Sequence, residues 1–182
     1  MDYEVFYNKL FGPVEEQLGL LDRSTIFALI GFDYGGPLNF STIGAKNGGT
    51  FITYISCELA VREDQKPSSA GRFELMCHCN DGGWVREILT RTGAMSLESR
   101  LDHLHTIDIS GVVEPEATLR GIVMEKFSTA KIDSEEYSIL RVHGVTAKEL
   151  EFAMEKGSEA LFEHLKKHGV YPNTEVGRRS TL

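Results

Sequence analysis

From Phe51 to Val61 every second residue is apolar or small, so that Phe51, Thr53, Ile55, Cys57, Leu59 and Val61 fall on one side of an extended chain. A two-residue period of this length belongs to a strand with one face in a core, because a helix would scatter the same residues around its circumference. The period returns in RFELMCHC, residues 72–79, where Phe73, Leu75, Cys77 and Cys79 point one way and Glu74, Met76 and His78 the other. Any fold for this chain has to assemble a sheet around these two segments.

The remaining segments are then placed around that sheet. Tyr3, Phe6, Tyr7, Leu10, Val14, Leu18 and Leu21 recur at three- and four-residue steps, which predicts an amphipathic helix with a kink at Gly12-Pro13. STIFALIGF (24–32) reads as a buried strand, and DYGGP after it as turn chemistry. Asn47-Gly48 predicts a β-hairpin ahead of the 51–61 run, since both residues tolerate positive φ. REDQKPSSAG (62–71) is too polar to pack and reads as a surface loop. Asp81 is placed to cap a helix over 83–92, with Trp84, Val85, Ile88, Leu89 and Thr92 on one face. Shorter strands are expected at HTIDIS, TLRGIVM and EYSILRVHG. Thr146 and Glu149 form a T-x-x-E capping box for a helix that Gly157 stops before SEALFEHLKKHG. This order lacks a regular βαβ alternation and predicts an α+β fold with a mostly antiparallel sheet flanked by helices. We expect one domain over residues 1–170 and a polar C-terminal tail over 171–182.

A chain of 182 residues is long enough to bury a sizeable core without disulfides or metals as staples. No apolar run approaches the ~18 residues of a membrane span, and MDYEVFYNKLFG carries acids where a signal peptide would carry a basic patch. A cytoplasmic protein without membrane contact is therefore expected. Three cysteines, an odd number, argue for reduced thiols over a disulfide framework. The formal net charge of −8 argues against nucleic acid as a partner and is compatible with a basic protein. The acids are unevenly spread: residues 1–22 hold five against one lysine, and residues 98–136 hold nine against four bases. If the two segments meet in space they form a surface for a basic partner, with Asp133, Glu135 and Glu136 as the candidate contacts.

Candidate chemistry is thin. Cys77 and Cys79 flank His78, but a strand sends the histidine to the opposite face, away from both thiols, so neither a metal site nor a thiol–imidazole pair is assembled locally. His103 and His105 lie on one side of an extended segment beside Asp102 and Asp108 with no third ligand of known position, and His143, His164 and His168 are isolated in sequence or sit at a helix end. GAKNGGT (44–50) has the glycine separation of a phosphate loop, but Thr50 stands where its lysine belongs and a strand follows instead of a helix. No cofactor is expected.

Three stretches carry a family resemblance: GGTFITYISCEL, GRFELMCHCNDGGWVREIL and RVHGVTAKELEFAMEKGSEALFEHLKKHG. Thr50 and Thr53 with Ser56, then Arg72-Phe73-Glu74-Leu75, then Trp84 heading a helix, then Val142 to Leu150, and the ending YPNTEVGRRSTL together resemble the suppressor of fused domain, in particular its small single-domain bacterial members. The resemblance covers about 25–180. It implies an α+β domain with no catalytic residues to transfer, marked here by Thr53, Ser56, Arg72, Glu74 and Trp84. It further implies protein binding, because the eukaryotic relative grips a transcription-factor peptide as an added strand and bacterial relatives are often immunity proteins or antitoxins encoded beside toxins. The length of this chain favours the bacterial role. The expectation is thus a non-enzymatic domain that neutralises a basic toxin encoded nearby by occlusion. The rivals are a small metal- or thiol-dependent enzyme using Cys77, Cys79, His78 or the His103/His105 pair, and a peptide-binding regulatory module acting by strand addition.

Overall fold

A computed structural model describes residues 2–45 and 49–182. Among them the chain order is α1 (Tyr3–Leu18), β1 (Asp22–Ile26), a 3-10 turn (Phe32–Tyr34), β2 (Phe40–Ile43), β3 (Ile52–Ser56), β4 (Arg72–Cys79), α2 (Gly82–Glu98), β5 (Thr106–Asp108), β6 (Leu119–Ile132), β7 (Glu135–Thr146), α3 (Ala147–Lys156) and α4 (Ser158–Lys167). The strands form one sheet in the order β1-β2-β3-β4-β7-β6-β5. Neighbours are antiparallel except β4 and β7, which run parallel because α2, β5 and β6 intervene between them. This is the expected α+β architecture.

Both faces of the sheet are covered, and this decides the character of its central strands. Phe73, Leu75, Cys77 and Cys79 join Val85, Ile88 and Leu89 of α2 in one buried cluster. On the other face Met76 and Ile139 pack with Phe6, Leu10, Phe11 and Val14 of α1, and beside them Val123 and Val145 pack with Leu161, Phe162 and Leu165 of α4. The alternation read from RFELMCHC is therefore the true register, but its second side is buried as well, so Glu74 and Met76 are interior residues. The three cysteines are free thiols, and burial pushes Cys57 up to about 12.

Local signals explain the helix ends. The Asp81 carboxylate accepts the N–H groups of Gly83 and Trp84 at 2.9 Å each and starts α2. The Thr146–Glu149 capping box starts α3, and Gly157, at φ +92°, stops it. α2 runs past Thr92 to Glu98, and Gly93 lets the helix press on Leu38 and Leu59, where a Cβ would lie 2.8 Å from a Leu38 methyl. α1 continues through Pro13 to Leu18. Residues 171–182 pack against the domain: Thr174 bonds to the His78 carbonyl and bridges Cys79, and the Arg178 guanidinium meets the fully buried Glu149 carboxylate at 2.5 and 2.6 Å.

Two expectations need correction. The apolar run 24–32 is not a buried strand. β1 ends at Ile26 and lies at the sheet edge, paired only with β2 among the described strands, and Phe27, Leu29 and Ile30 beyond it face solvent. Hydrophobicity marked the segment as apolar, but nothing local specifies whether a strand is central or peripheral. The 51–61 alternation is likewise longer than its strand, which stops at Ser56. There the chain turns so that the Cys57 N–H reaches the Asn39 carbonyl and the Ala60 N–H reaches the Glu74 carboxylate. β2 and β3 pair antiparallel as a hairpin requires; the Asn47-Gly48 turn itself lies outside the described residues.

The β6–β7 hairpin turns on Asp133 and Ser134, with Ile132 opposite Glu135. Both turn residues have positive φ, +48° and +77°, the two-residue geometry that matches strand twist and favours Asx followed by Gly. Ser134 is exposed and bears the Cβ strain that glycine would relieve. Ser134→Gly is expected to raise the unfolding free energy by about 1 kcal/mol, read as an upward shift of the denaturation midpoint at constant slope; an unchanged midpoint would remove strain from this turn.

Candidate functional site

Three of the five residues marked by the family resemblance, Ser56, Arg72 and Glu74, lie together beneath one end of the molecule. Glu74 is fully buried on the α1 side of β4. Its Oε1 accepts the Tyr7 hydroxyl at 3.0 Å and the Ala60 N–H at 2.9 Å, and its Oε2 accepts the Ser56 hydroxyl at 2.5 Å. Ser56 Oγ in turn accepts the Leu75 N–H. One carboxyl thus joins α1, β3, β4 and the turn after β3. Burial pushes Glu74 up to about 7, and the hydrogen bonds from Ser56, Ala60 and Tyr7 oppose that rise without overcoming it.

Two residues earlier on the same face, Arg72 donates to Glu135 at 2.9 Å and to the Tyr137 hydroxyl at 3.0 Å, with its guanidinium over the Tyr137 ring. Phe6 of α1 packs edge-on against that ring. Gly71, at φ +83°, brings the loop before β4 so close to the Glu136 carbonyl that a Cβ would overlap it. The β6–β7 hairpin is therefore held by Arg72 from one side and by α1 from another, where Lys9 meets Asp133 at 3.7 Å.

Outward from this frame stand Asp133, Glu135 and Glu136 on the hairpin and Asp2 and Glu4 at the start of α1, all exposed. Sequence reading named the three hairpin acids and the α1 segment. It missed Tyr7 and Gly71, whose roles depend on partners 67 and 65 positions away respectively, although Tyr7 lies on the apolar face of a legible helix. Beside the acids Tyr3 and Val5 expose apolar surface, and a cleft of about 230 Å³ opens between Tyr3, Glu4, Arg23, Ser41 and Cys57.

The other marked residues lie elsewhere. Thr53 Oγ1 is 2.8 Å from His78 Nδ1, and the His78 ring stacks on Phe51. Trp84 is half-buried against the α2-side core, its indole Nε1 enclosed without a partner, and Gly144 leaves room for its ring. His103 Nδ1 accepts the Lys126 N–H, while Asp102 holds Ser69 and Arg100, and hydrogen bonds pull its carboxyl down to about 2 against the effect of burial. His143 is buried against Glu125 at 3.0 Å, and burial lowers its pKa. Among the described residues no three or more His, Cys, Asp or Glu side chains are arranged to hold a metal ion.

A seven-stranded sheet with α1, α3 and α4 on one face and α2 on the other, with a buried carboxyl network between sheet and α1, defines an α+β scaffold. Residues 36–179 match the family described as Suppressor of fused protein (SUFU), and the chain belongs to that family. The structure of a Sufu–Fu complex aligns with TM-score 0.70 at 16% identity, over 97% of this chain and 90% of that one. Drosophila Suppressor of Fused aligns with TM-score 0.63 at 17% identity, over 83% of this chain and 45% of that one. A suppressor of fused homologue from Neisseria gonorrhoeae FA 1090 aligns with TM-score 0.64 at 14% identity, over 98% of both chains. At these identities the shared property is the fold. No curated protein sequence matches the chain.

The network makes a pH prediction. Glu74 has a folded pKa near 7 against an ordinary value of 4.5, so its contribution is fully present below 4.5 and is lost as pH rises to 7. A shift of this size corresponds to about 3 kcal/mol. Glu149, drawn down to about 2 because Arg178 and the Thr146 N–H outweigh burial, contributes above 4.5 and is lost as pH falls toward 2. Unfolding measured from pH 4.5 to 7.5 should therefore show wild-type stability falling relative to Glu74→Gln, whose amide does not titrate. Parallel profiles for the two proteins would show that burial does not raise the Glu74 pKa in the fold.

Proposed function

We propose that this chain is a non-enzymatic protein-binding domain of the cytoplasm, with an immunity or antitoxin role, that neutralises a basic toxin encoded nearby by covering it. The observation that carries the reading is the convergence of the chain's two acidic segments at the α1 and β6–β7 end. Lys9 and Asp133 bring them together there, and the exposed acids Asp2, Glu4, Asp133, Glu135 and Glu136 outnumber the cations Lys9, Arg72 and Lys131, the last lying opposite Glu136. A surface of this sign attracts a positively charged partner over about a Debye length, roughly 10 Å at moderate salt, and raises the encounter rate. The Sufu of the Sufu–Fu complex has a protein partner, and the shared fold supports protein binding here. Occlusion requires only a rigid, complementary surface, and the Glu74 and Arg72 networks supply the rigidity.

The test is association with the product of the neighbouring gene at two salt concentrations. Asp133→Asn, Glu135→Gln and Glu136→Gln together should slow association several-fold at low salt and flatten its salt dependence, with a smaller change in dissociation. The variant should stay folded, because the exposed Lys9–Asp133 pair contributes about 0–1 kcal/mol, Arg72 keeps its hydrogen bond to the Tyr137 hydroxyl when Glu135, itself exposed, becomes Gln, and Asn accepts the positive φ of position 133. An unchanged rate and salt dependence would assign these acids to solubility alone.

A further inference from the structure

A second surface is independent of the acidic end. Ile26, Phe27, Leu29, Ile30 and Tyr34 are all exposed within nine residues, Leu29 completely and Phe27 to 75%. An ordered backbone presents them: the Ala28 N–H donates to Asn39 Oδ1 at 3.0 Å, and the Gly36 N–H to the Gly31 carbonyl at 3.1 Å. Directly beside them lies a groove of about 570 Å³ between this segment and the first turns of α2, where Gly83, Arg86 and Glu87 form the far wall. β1 ends the sheet, and no described strand pairs with its outer edge. Exposed edges are usually blunted by charged residues, proline or a covering element; the charges of β1, Asp22 and Arg23, lie at its start, and Ile26 with the segment Phe27-Ala28-Leu29-Ile30 that follows the strand carries neither charge nor proline.

We infer that this edge is a two-fold interface between copies of the chain. Three features of the patch favour a second copy as its occupant. A two-fold interface must be complementary to itself, and here the projecting side chains and the groove that can receive them are adjacent on one surface. Two edge strands related by a two-fold axis meet antiparallel, which continues the antiparallel β1–β2 pairing across the junction. The rim carries Arg86 beside the exposed Glu87–Arg91 ion pair, so both signs of charge are present and two copies can approach with unlike charges facing each other despite a net charge of −8 per chain. The size is also adequate. Two exposed aromatic and three aliphatic side chains offer on the order of 500 Å² of apolar surface, and the half of a standard interface, roughly 800 Å², is a little over half apolar.

The experiment is sedimentation velocity of the full chain over a wide concentration range. The wild-type protein should shift with concentration from a 20.3 kDa species to one of twice that mass. Leu29→Asp and Phe27→Asp should each remain at the monomer mass throughout, with unchanged thermal midpoints because both side chains are solvent-exposed in the single chain. Met154→Asp, which removes an exposed apolar side chain from α3, should dimerise like the wild type. A wild type that stays monomeric overturns the inference, including the case in which Leu29→Asp abolishes capture of the toxin, since the face would then belong to that partner. A dimer that Leu29→Asp and Phe27→Asp leave intact, or that Met154→Asp also dissolves, overturns it equally.

Discussion

The carboxyl of Glu74 sits where four pieces of backbone have to agree. It is wholly buried between the sheet and α1, and it gathers a phenol from the helix, a hydroxyl from β3 and an N–H from the turn that follows β3. Burying a carboxyl is unfavourable in itself, and the three donors compensate only as a set. Replacing the carboxyl with a methyl would leave Tyr7, Ser56 and Ala60 with buried unpaired donors, each costing about 1–3 kcal/mol. An apolar residue at position 74 would therefore be compatible with the core only if position 7 and the 57–60 turn changed with it. The α1-side hydrophobic cluster supplies non-directional attraction between helix and sheet; Glu74 selects one placement of the helix from those the cluster allows.

The second ionic network plays the same part at the opposite end of β7. Glu149 begins as a helix cap, accepting the Thr146 N–H at 2.9 Å, and is then closed over by Arg178 and Thr181 from the C-terminal segment. A capping carboxylate placed at a helix start is favoured by the helix dipole, and here that already oriented group provides the anchor for twelve further residues, 171–182. The polar composition of that segment is thus no obstacle to its packing, since its polar groups meet polar partners that the domain holds in place.

These networks explain what could be read in advance and what could not. The register of β4, the Asp81 cap and the Thr146–Glu149 box were legible because each depends on residues at most a few positions apart, and local geometry dictates which side chains meet. The Tyr7–Glu74 bond and the contact of Gly71 with Glu136 were not, because the first depends on where α1 docks on the sheet and the second on the parallel β4–β7 pairing, and neither leaves a periodic trace. The apolar run after Ser24 was read as interior for a related reason. Hydrophobicity reports that a segment is better off covered, whether by its own chain or by another one, and this chain leaves Leu29 uncovered. The acids of the candidate site were visible as composition, yet their convergence depends on α1 lying over Tyr137.

Charge and apolar surface divide the work of recognition unequally. Under the proposed function, exposed carboxylates such as Asp133 and Glu136 would act at a distance, screened by salt, and so would govern how often a basic partner arrives in a productive orientation. They contribute little to how long it stays, because each remains solvated at the rim and two of the hairpin acids already have cationic neighbours, Lys9 and Arg72. Residence has to come from desolvated contacts, and at this end Tyr3, Val5 and the cleft beneath Tyr3 are the features able to provide them. A tyrosine held on a helix turn loses little rotamer freedom on binding, and α1 is itself pinned through Tyr7 to Glu74. On that reading the buried carboxyl would be connected to recognition by mechanical means: it holds the helix whose outer side would carry the apolar contact, while the hairpin held by Arg72 would carry the charge.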